Sequence, residues 1–324
     1  MVLRKELKKC EVLVTGGAGF IGSHLIDRLL LDGVKKIIVV DNFFTGSKEN
    51  LSNAMISDQM ILYSEDAEIY SSLNYIFDSH NIDVVFNCAT KALNYSFVNP
   101  SNAFSTNVDV ILNLLELQRS NKFSTLCHFS TSEVYGSALY EPMDEFHPKN
   151  PTTTYAAGKA AADMAIESYV KMFNLDTIIL RPFNNYGPRQ NYKGPLAGVI
   201  PKTVNNILRG EKPEIHGDGS QTRDFVFVSD TVDAAIKLYY KLNRGETVNI
   251  SAANEISIIN LLEIMSSKLK YNDEFFKKPL RNSDVRSHKA DNSKLKSLID
   301  FSPTSFEVGL EKTIDFYKKI IVGS

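Results

Sequence analysis

Six short β-branched runs punctuate the first 180 residues, and their cores are apolar without interruption: EVLVT (11–15), KIIVVD (36–41), MILYS (60–64), DVVFNCA (83–89), LCHFS (126–130) and DTIILR (176–181). A strand with one wet face alternates apolar and polar residues. These runs do not, which is the pattern of strands buried on both faces of a parallel sheet. Helical patterns lie between them at about 20–32, 68–80, 101–120 and 153–173. The alternation predicts an α/β fold, a Rossmann-type doubly wound parallel sheet. Right-handed crossovers then gather ligands at the carboxyl ends of the strands.

The turn after the first run, in LVTGGAGFIGSHL, places Gly16, Gly17, Gly19 and Gly22 between a strand and a helix. It fits both G-x-G-x-x-G and G-x-x-G-x-x-G. Such glycines permit the tight turn, let backbone N–H groups approach a pyrophosphate, and let helix and strand pack closely, with the helix dipole facing the phosphates. Asp41 closes the second run, 19 residues after Gly22. A carboxylate there accepts both hydroxyls of an adenine ribose and repels a 2′-phosphate, so NAD is expected rather than NADP. Asp66, near the end of the third run, is a candidate for the adenine amine.

Other classes are disfavoured by composition. The 324 residues carry a formal charge of −2, giving no electrostatic case for nucleic acid or an anionic membrane. No run of about 18 apolar residues predicts a membrane span, and the opening MVLRKELKKCEVLV lacks the apolar core of a signal peptide. Cys10, Cys88 and Cys127 show no CxxC spacing, and the six histidines form no HxxxH pair. The expectation is a cytoplasmic, metal-free protein.

After Arg181 the alternation dissolves. RPFNNYGPRQNYKGPLAG reads as a loop, VIPKTVNNILRG as an amphipathic helix, and RDFVFVSDTVDAAIKLYY as a strand and helix that rejoin the sheet. The expected organisation is an NAD-binding domain over residues 1–180, rejoined by about 221–250. A smaller mixed α/β region over 181–324, interleaved with it, would bind substrate.

Tyr155 and Lys159 in PTTTYAAGKAAADMAIESY share one helix face at i, i+4 spacing. Upstream, STSEVYG sets Thr131 and Glu133 at the carboxyl end of a buried run. Taken with the glycine turn and RPFNNYGPR, in this order and spacing, these motifs resemble the extended short-chain dehydrogenases/reductases that modify nucleotide sugars. The resemblance runs through DVRSHKADNSKL and EVGLEKTIDFYKK, essentially the whole chain.

The resemblance implies a tightly held NAD and a role for each matched residue. Tyr155 would take the proton of the sugar C4 hydroxyl, with a phenol that ordinarily titrates near pH ~10 made more acidic by Lys159 and the oxidised nicotinamide. Lys159 would also hold the nicotinamide ribose, and Thr131 would orient the sugar oxygen. Gly16, Gly19, Phe20, Ile21, Gly22, Asp41, Asn42, Asp66, Ala89 and Lys91 would line the cofactor with Tyr155 and Lys159. Ser132, Asn184, Arg223, Arg286 and His216 would contact substrate, the arginines through bidentate bonds to the diphosphate. The helices around 101–120 and 153–173 would pair across a homodimer as a four-helix bundle.

Two departures bear on the outcome. Dehydratases of this family carry Thr-Asp-Glu, in which Glu takes the C5 proton and Asp helps expel the C6 hydroxyl; here the triplet is Thr131-Ser132-Glu133. Where the family has His-x-Ala-Ala, this chain has Asn87-Cys88-Ala89-Thr90, and the following Lys91 resembles the Lys-Ala segment of galactose-type 4-epimerases. The leading expectation is an NDP-hexose 4,6-dehydratase. A 4-epimerase, an NDP-uronate decarboxylase and a net 4-dehydrogenase are alternatives, and an inactive NAD(H)-binding regulator is the alternative from another class.

Overall fold

In the computed structural model, residues 3–281 and 283–323 are described; the ends of the spans 1–180 and 181–324 beyond them, and Asn282, lie outside the described residues. The six apolar runs form β1 (Glu11–Thr15), β2 (Lys36–Val40), β3 (Met60–Tyr63), β4 (Val84–Asn87), β5 (Thr125–Phe129) and β6 (Asp176–Pro182). Between them run α1 (Phe20–Leu31), α2 (Tyr70–Ser79), α3 (Pro100–Arg119) and α4 (Thr154–Phe173). α3 starts on Pro100 with the Asn99 side chain accepting from Asn102 N, and α4 starts with Thr153 accepting from Ala156 N. Every residue of β1 and β5 is buried, while the edge strand β3 is half-buried.

Beyond β6 come β7 (Asn184–Tyr186), α5 (Val199–Leu208), β8 (Glu214–His216), β9 (Thr222–Phe227), α6 (Val228–Tyr239) and β10 (Thr247–Ile250). β11 (Glu255–Ser257), α7 (Ile258–Leu269), β12 (Phe276–Lys278), α8 (Ser293–Leu298) and α9 (Phe306–Val322) complete the chain. The main sheet has seven strands in the order β10-β6-β5-β4-β1-β2-β3, all parallel. Apolar residues of α1 and α6 pack on one face of it, and those of α2, α3 and α4 on the other.

One expectation changes here. The strand in RDFVFV does not rejoin the main sheet; β9 is the middle strand of a small sheet, β11-β9-β7, covered by α5, α7 and α9. The returning elements are α6, which packs with α1, and β10, which pairs with β6. The order reverses between β1 and β4, so the crevice at their carboxyl ends opens where β1, β2, β4 and β5 all deliver loops.

Candidate active site

A cavity of about 370 Å³ occupies that crevice. Its floor is the turn between β1 and α1. Gly16 has φ +65, and a Cβ there would sit 2.6 Å from Ala89 N; a Cβ on Gly22 would sit 2.3 Å from Gly16 O. Neither position admits a side chain, so backbone alone faces the cavity. Gly19 begins α1 with no side chain capping it, leaving the helix N-terminus open to an anion. The expected cofactor residues Gly16, Gly19, Phe20, Ile21, Gly22, Asp41, Asn42, Asp66, Ala89 and Lys91 all line this one cavity. Three buried polar atoms of other lining residues have no hydrogen-bond partner among the described residues: Asn184 Nδ2, Arg189 Nη1 and Gln190 Oε1. Open backbone, an unused helix terminus and orphaned polar groups fit a dinucleotide.

Asp41 does more than sequence suggests. Its carboxylate accepts Ala18 N and Phe43 N, each at 2.8 Å, so it ties the glycine turn to β2. Asn42 Nδ2 donates to Asp66 at 2.7 Å. Lys91 is buried, with Nζ 3.7 Å from Glu68 Oε1 and 3.9 Å from the centre of the Phe44 ring.

The other end of the cavity holds the expected catalytic groups. β5 ends at Phe129, whose carbonyl accepts Lys159 Nζ at 2.8 Å. Thr131 then caps the one-turn helix Ser132–Tyr135, its hydroxyl accepting Glu133 N at 3.2 Å. Tyr155 enters from the first turn of α4, its backbone N–H held by Ser96 Oγ at 2.9 Å. Burial pushes the Tyr155 phenol up to about 12; hydroxyls of Thr131 and Thr90 pull it down and the Glu133 charge pushes it up. Burial pulls Lys159 down to about 8, against the opposing charge of Asp163. Glu133 is 8% exposed, and burial raises its carboxyl above the usual range, with Arg223 lowering it and Asp284 raising it.

A second cavity of about 360 Å³ lies against the small sheet, α5 and α7. Asn184, His216 and Arg223 line it, as do Asn94, Arg281 and Asp284. Arg223 Nη1 donates to the carbonyls of Thr222 and Val285 at 2.8 and 2.7 Å, which fixes the guanidinium at the wall. Arg281 bonds Asn94 Oδ1 at 3.2 Å and approaches His216 Nε2 at 3.4 Å. Among the described residues, Glu133 is the one carboxylate that lines both cavities. Ser132 and Arg286, expected on substrate, line neither: Ser132 is buried in its turn, and Arg286 is exposed, with its backbone held by Ser137 and Thr222. Arg281, which was not among the residues expected on substrate, lines the second cavity.

A family model described as GDP-mannose 4,6 dehydratase matches residues 13–313, nearly the whole chain and both cavities. The chain belongs to this family. Among its relatives is the UDP-glucose 4-epimerase of Mycolicibacterium smegmatis, 33% identical over 311 residues, which are 95% of this chain and 98% of that protein. UDP-glucuronic acid decarboxylase 1 of Xenopus tropicalis is 32% identical over 97% of this chain and 73% of its own length. A solved dTDP-glucose 4,6-dehydratase of Streptomyces venezuelae, crystallised with NAD, superposes with a TM-score of 0.90 at 28% identity, covering 95% of this chain and 97% of that one. The family thus holds NAD-dependent enzymes of nucleotide sugars with differing outcomes. No helix among the described residues is long and apolar enough to cross a membrane, and no cluster of metal-ligating side chains occurs among them.

Proposed function

We propose that this family member is an NAD-dependent NDP-hexose 4,6-dehydratase. The observation that carries the reading is the position of Glu133, a buried carboxylate where the two cavities meet, beside Thr131 and Tyr155. Nicotinamide, when bound, supplies reversible hydride acceptance. Tyr155 takes the C4 hydroxyl proton while Thr131 orients that oxygen and Lys159 supplies positive charge. The resulting 4-ketone acidifies the C5 hydrogen, which Glu133 removes. Protonated by that step, Glu133 is the acid at hand for the departing C6 hydroxyl, because Ser132 lines neither cavity. The hydride taken from C4 would then be returned to C6, and Glu133, reprotonated from solvent, would deliver a proton to C5. Asn184, Arg223, His216 and Arg281 would hold the nucleoside diphosphate in the second cavity. A homodimer through α3 and α4 is part of the proposal: Phe104, Leu112 and Met164 leave apolar side chains exposed there.

The second reading is 4-epimerisation, favoured by the near full-length similarity to a UDP-glucose 4-epimerase. It needs no carboxylate at C5. Incubation with UDP-, dTDP-, GDP- and CDP-sugars in deuterated water separates the two. Dehydration gives a 4-keto-6-deoxy product with deuterium at C5; epimerisation gives the C4 epimer with none. Glu133→Gln is expected to slow the C5 exchange roughly 10²–10⁴-fold while a 4-keto sugar still forms. Full turnover in that variant assigns epimerisation or net dehydrogenation.

Asp41→Ala tests the cofactor. Binding of NAD to the stripped protein should weaken roughly tenfold or more, the worth of hydrogen bonds to a charged group, and the preference for NAD over NADP should shrink. An unchanged ratio of the two dinucleotides would leave the carboxylate with its Ala18 and Phe43 tethers alone.

A further inference from the structure

His288 is fully buried, and among the described residues neither ring nitrogen makes a well-formed hydrogen bond, the Gly136 backbone offering only a poorly aligned one. A buried polar group left unpaired is costly and calls for a cause. Its Nδ1 lies 3.9 Å from Glu133 Oε1, a gap that rotation of a carboxylate closes. The imidazole lines neither cavity, so it can reach the reacting atoms only through Glu133. Its backbone is fixed nearby: Met143 N donates to Lys289 O and Asp291 N to Met143 O, at 2.8 and 2.9 Å. The ring meets Phe183 edge-on, centroids 5.7 Å apart. Movement in the pair therefore belongs to Glu133.

The charges around it define its state. Burial, the Arg223 guanidinium and His147 pull His288 down to about 3, against the Gly136 backbone, so the ring is neutral, with one N–H for which Gly136 and Glu133 compete. Glu133 itself feels Arg223 and Asp284.

We propose that His288 is the positioning residue of Glu133: Nδ1–H donates to Oε1 when the carboxylate swings inward, leaving Oε2 to take the C5 proton. The proposal rests on the dehydratase reading. Because an N–H donor favours the ionised carboxylate, its loss raises the pH at which Glu133 becomes a base.

Three variants test this on the nucleotide-sugar panel in deuterated water: His288→Phe, which keeps a ring against Phe183, His288→Asn, whose amide reaches the Nδ1 position, and His288→Gln, which reaches that of Nε2. Phe and Gln are expected to lower kcat for C5 exchange roughly 10–100-fold with KM little changed, and to move the acid limb up by about one pH unit. Asn restores kcat to within a few-fold and returns the limb. The same order is expected for the Glu133 carboxyl titration followed by infrared difference against Glu133→Gln, which needs no substrate. Should the Phe variant fail to fold, as judged by melting and bound NAD, the Asn–Gln contrast decides. Wild-type kcat and acid limb in all variants, equal impairment of Asn and Gln, or a limb that moves down would overturn the proposal. If Glu133→Gln leaves C5 exchange intact, it is the dehydratase reading that fails, and this inference with it.

Discussion

Tyr155→Phe is expected to lower turnover roughly 10²–10⁴-fold, the usual worth of a positioned general base, while NAD stays bound. The substitution removes one oxygen and leaves the ring, the Ser96 tether and Lys159 in place. Loss must therefore come from the missing proton acceptor. An ultraviolet difference titration against this variant gives an independent readout. In the cofactor-free protein the phenol should titrate near 12, above its ordinary ~10, because burial outweighs the neighbouring hydroxyls. Positive charge arriving with oxidised nicotinamide should bring that step down. Unchanged turnover, or a phenol indifferent to the cofactor, removes Tyr155 from the base role.

Asp163→Ala is expected to cost about 3–5 kcal/mol of stability, the penalty for stranding a buried charge. Arg181 Nη2 donates to Asp163 Oδ2 at 2.6 Å with both side chains at most 1% exposed, and Arg181 Nη1 reaches the Tyr135 hydroxyl, also at 2.6 Å. Ser130 Oγ joins at 2.9 Å, and the Tyr135 hydroxyl donates to Asn249 Oδ1 at 2.8 Å. Removing the carboxylate leaves the guanidinium without its counter-charge. Replacing both partners by apolar residues should cost less than Asp163→Ala alone. Denaturant midpoints of the two variants check this; equal losses would mean that no stranded charge is involved. The effect extends to Lys159, which Asp163 props up at about 8. Without Asp163 the lysine should titrate lower and be less cationic at neutral pH.

How much of this was legible follows from what periodicity encodes. The parallel core strands and their four helices were readable because burial on both faces and a 3.6-residue repeat leave local marks. β9 was misplaced because RDFVFV is as apolar as a main-sheet strand; which sheet it joins is set by the distant partners β7 and β11. The cavity around Gly16, Asp41, Thr131, Tyr155 and Lys159 was readable from motif and spacing. Arg281 was not singled out as a lining residue, and Arg286 was, because the irregular segment holding both has no period to show which arginine faces the second cavity. Asp163 stands one helical turn beyond Lys159, but its partner Arg181 lies on β6, and no local pattern joins them. His288 could not be found at all from sequence, since nothing near it in the chain announces burial against Glu133.

The route of the chain between its main sheet and its small sheet has a practical consequence for anyone cutting it. An excised fragment ending at residue 180 would lack α6 and β10, baring the apolar underside of α1 and leaving β6 as an open, parallel-edged ribbon. Such a fragment invites aggregation, so the two sheets should be dissected by side-chain replacement and not by truncation.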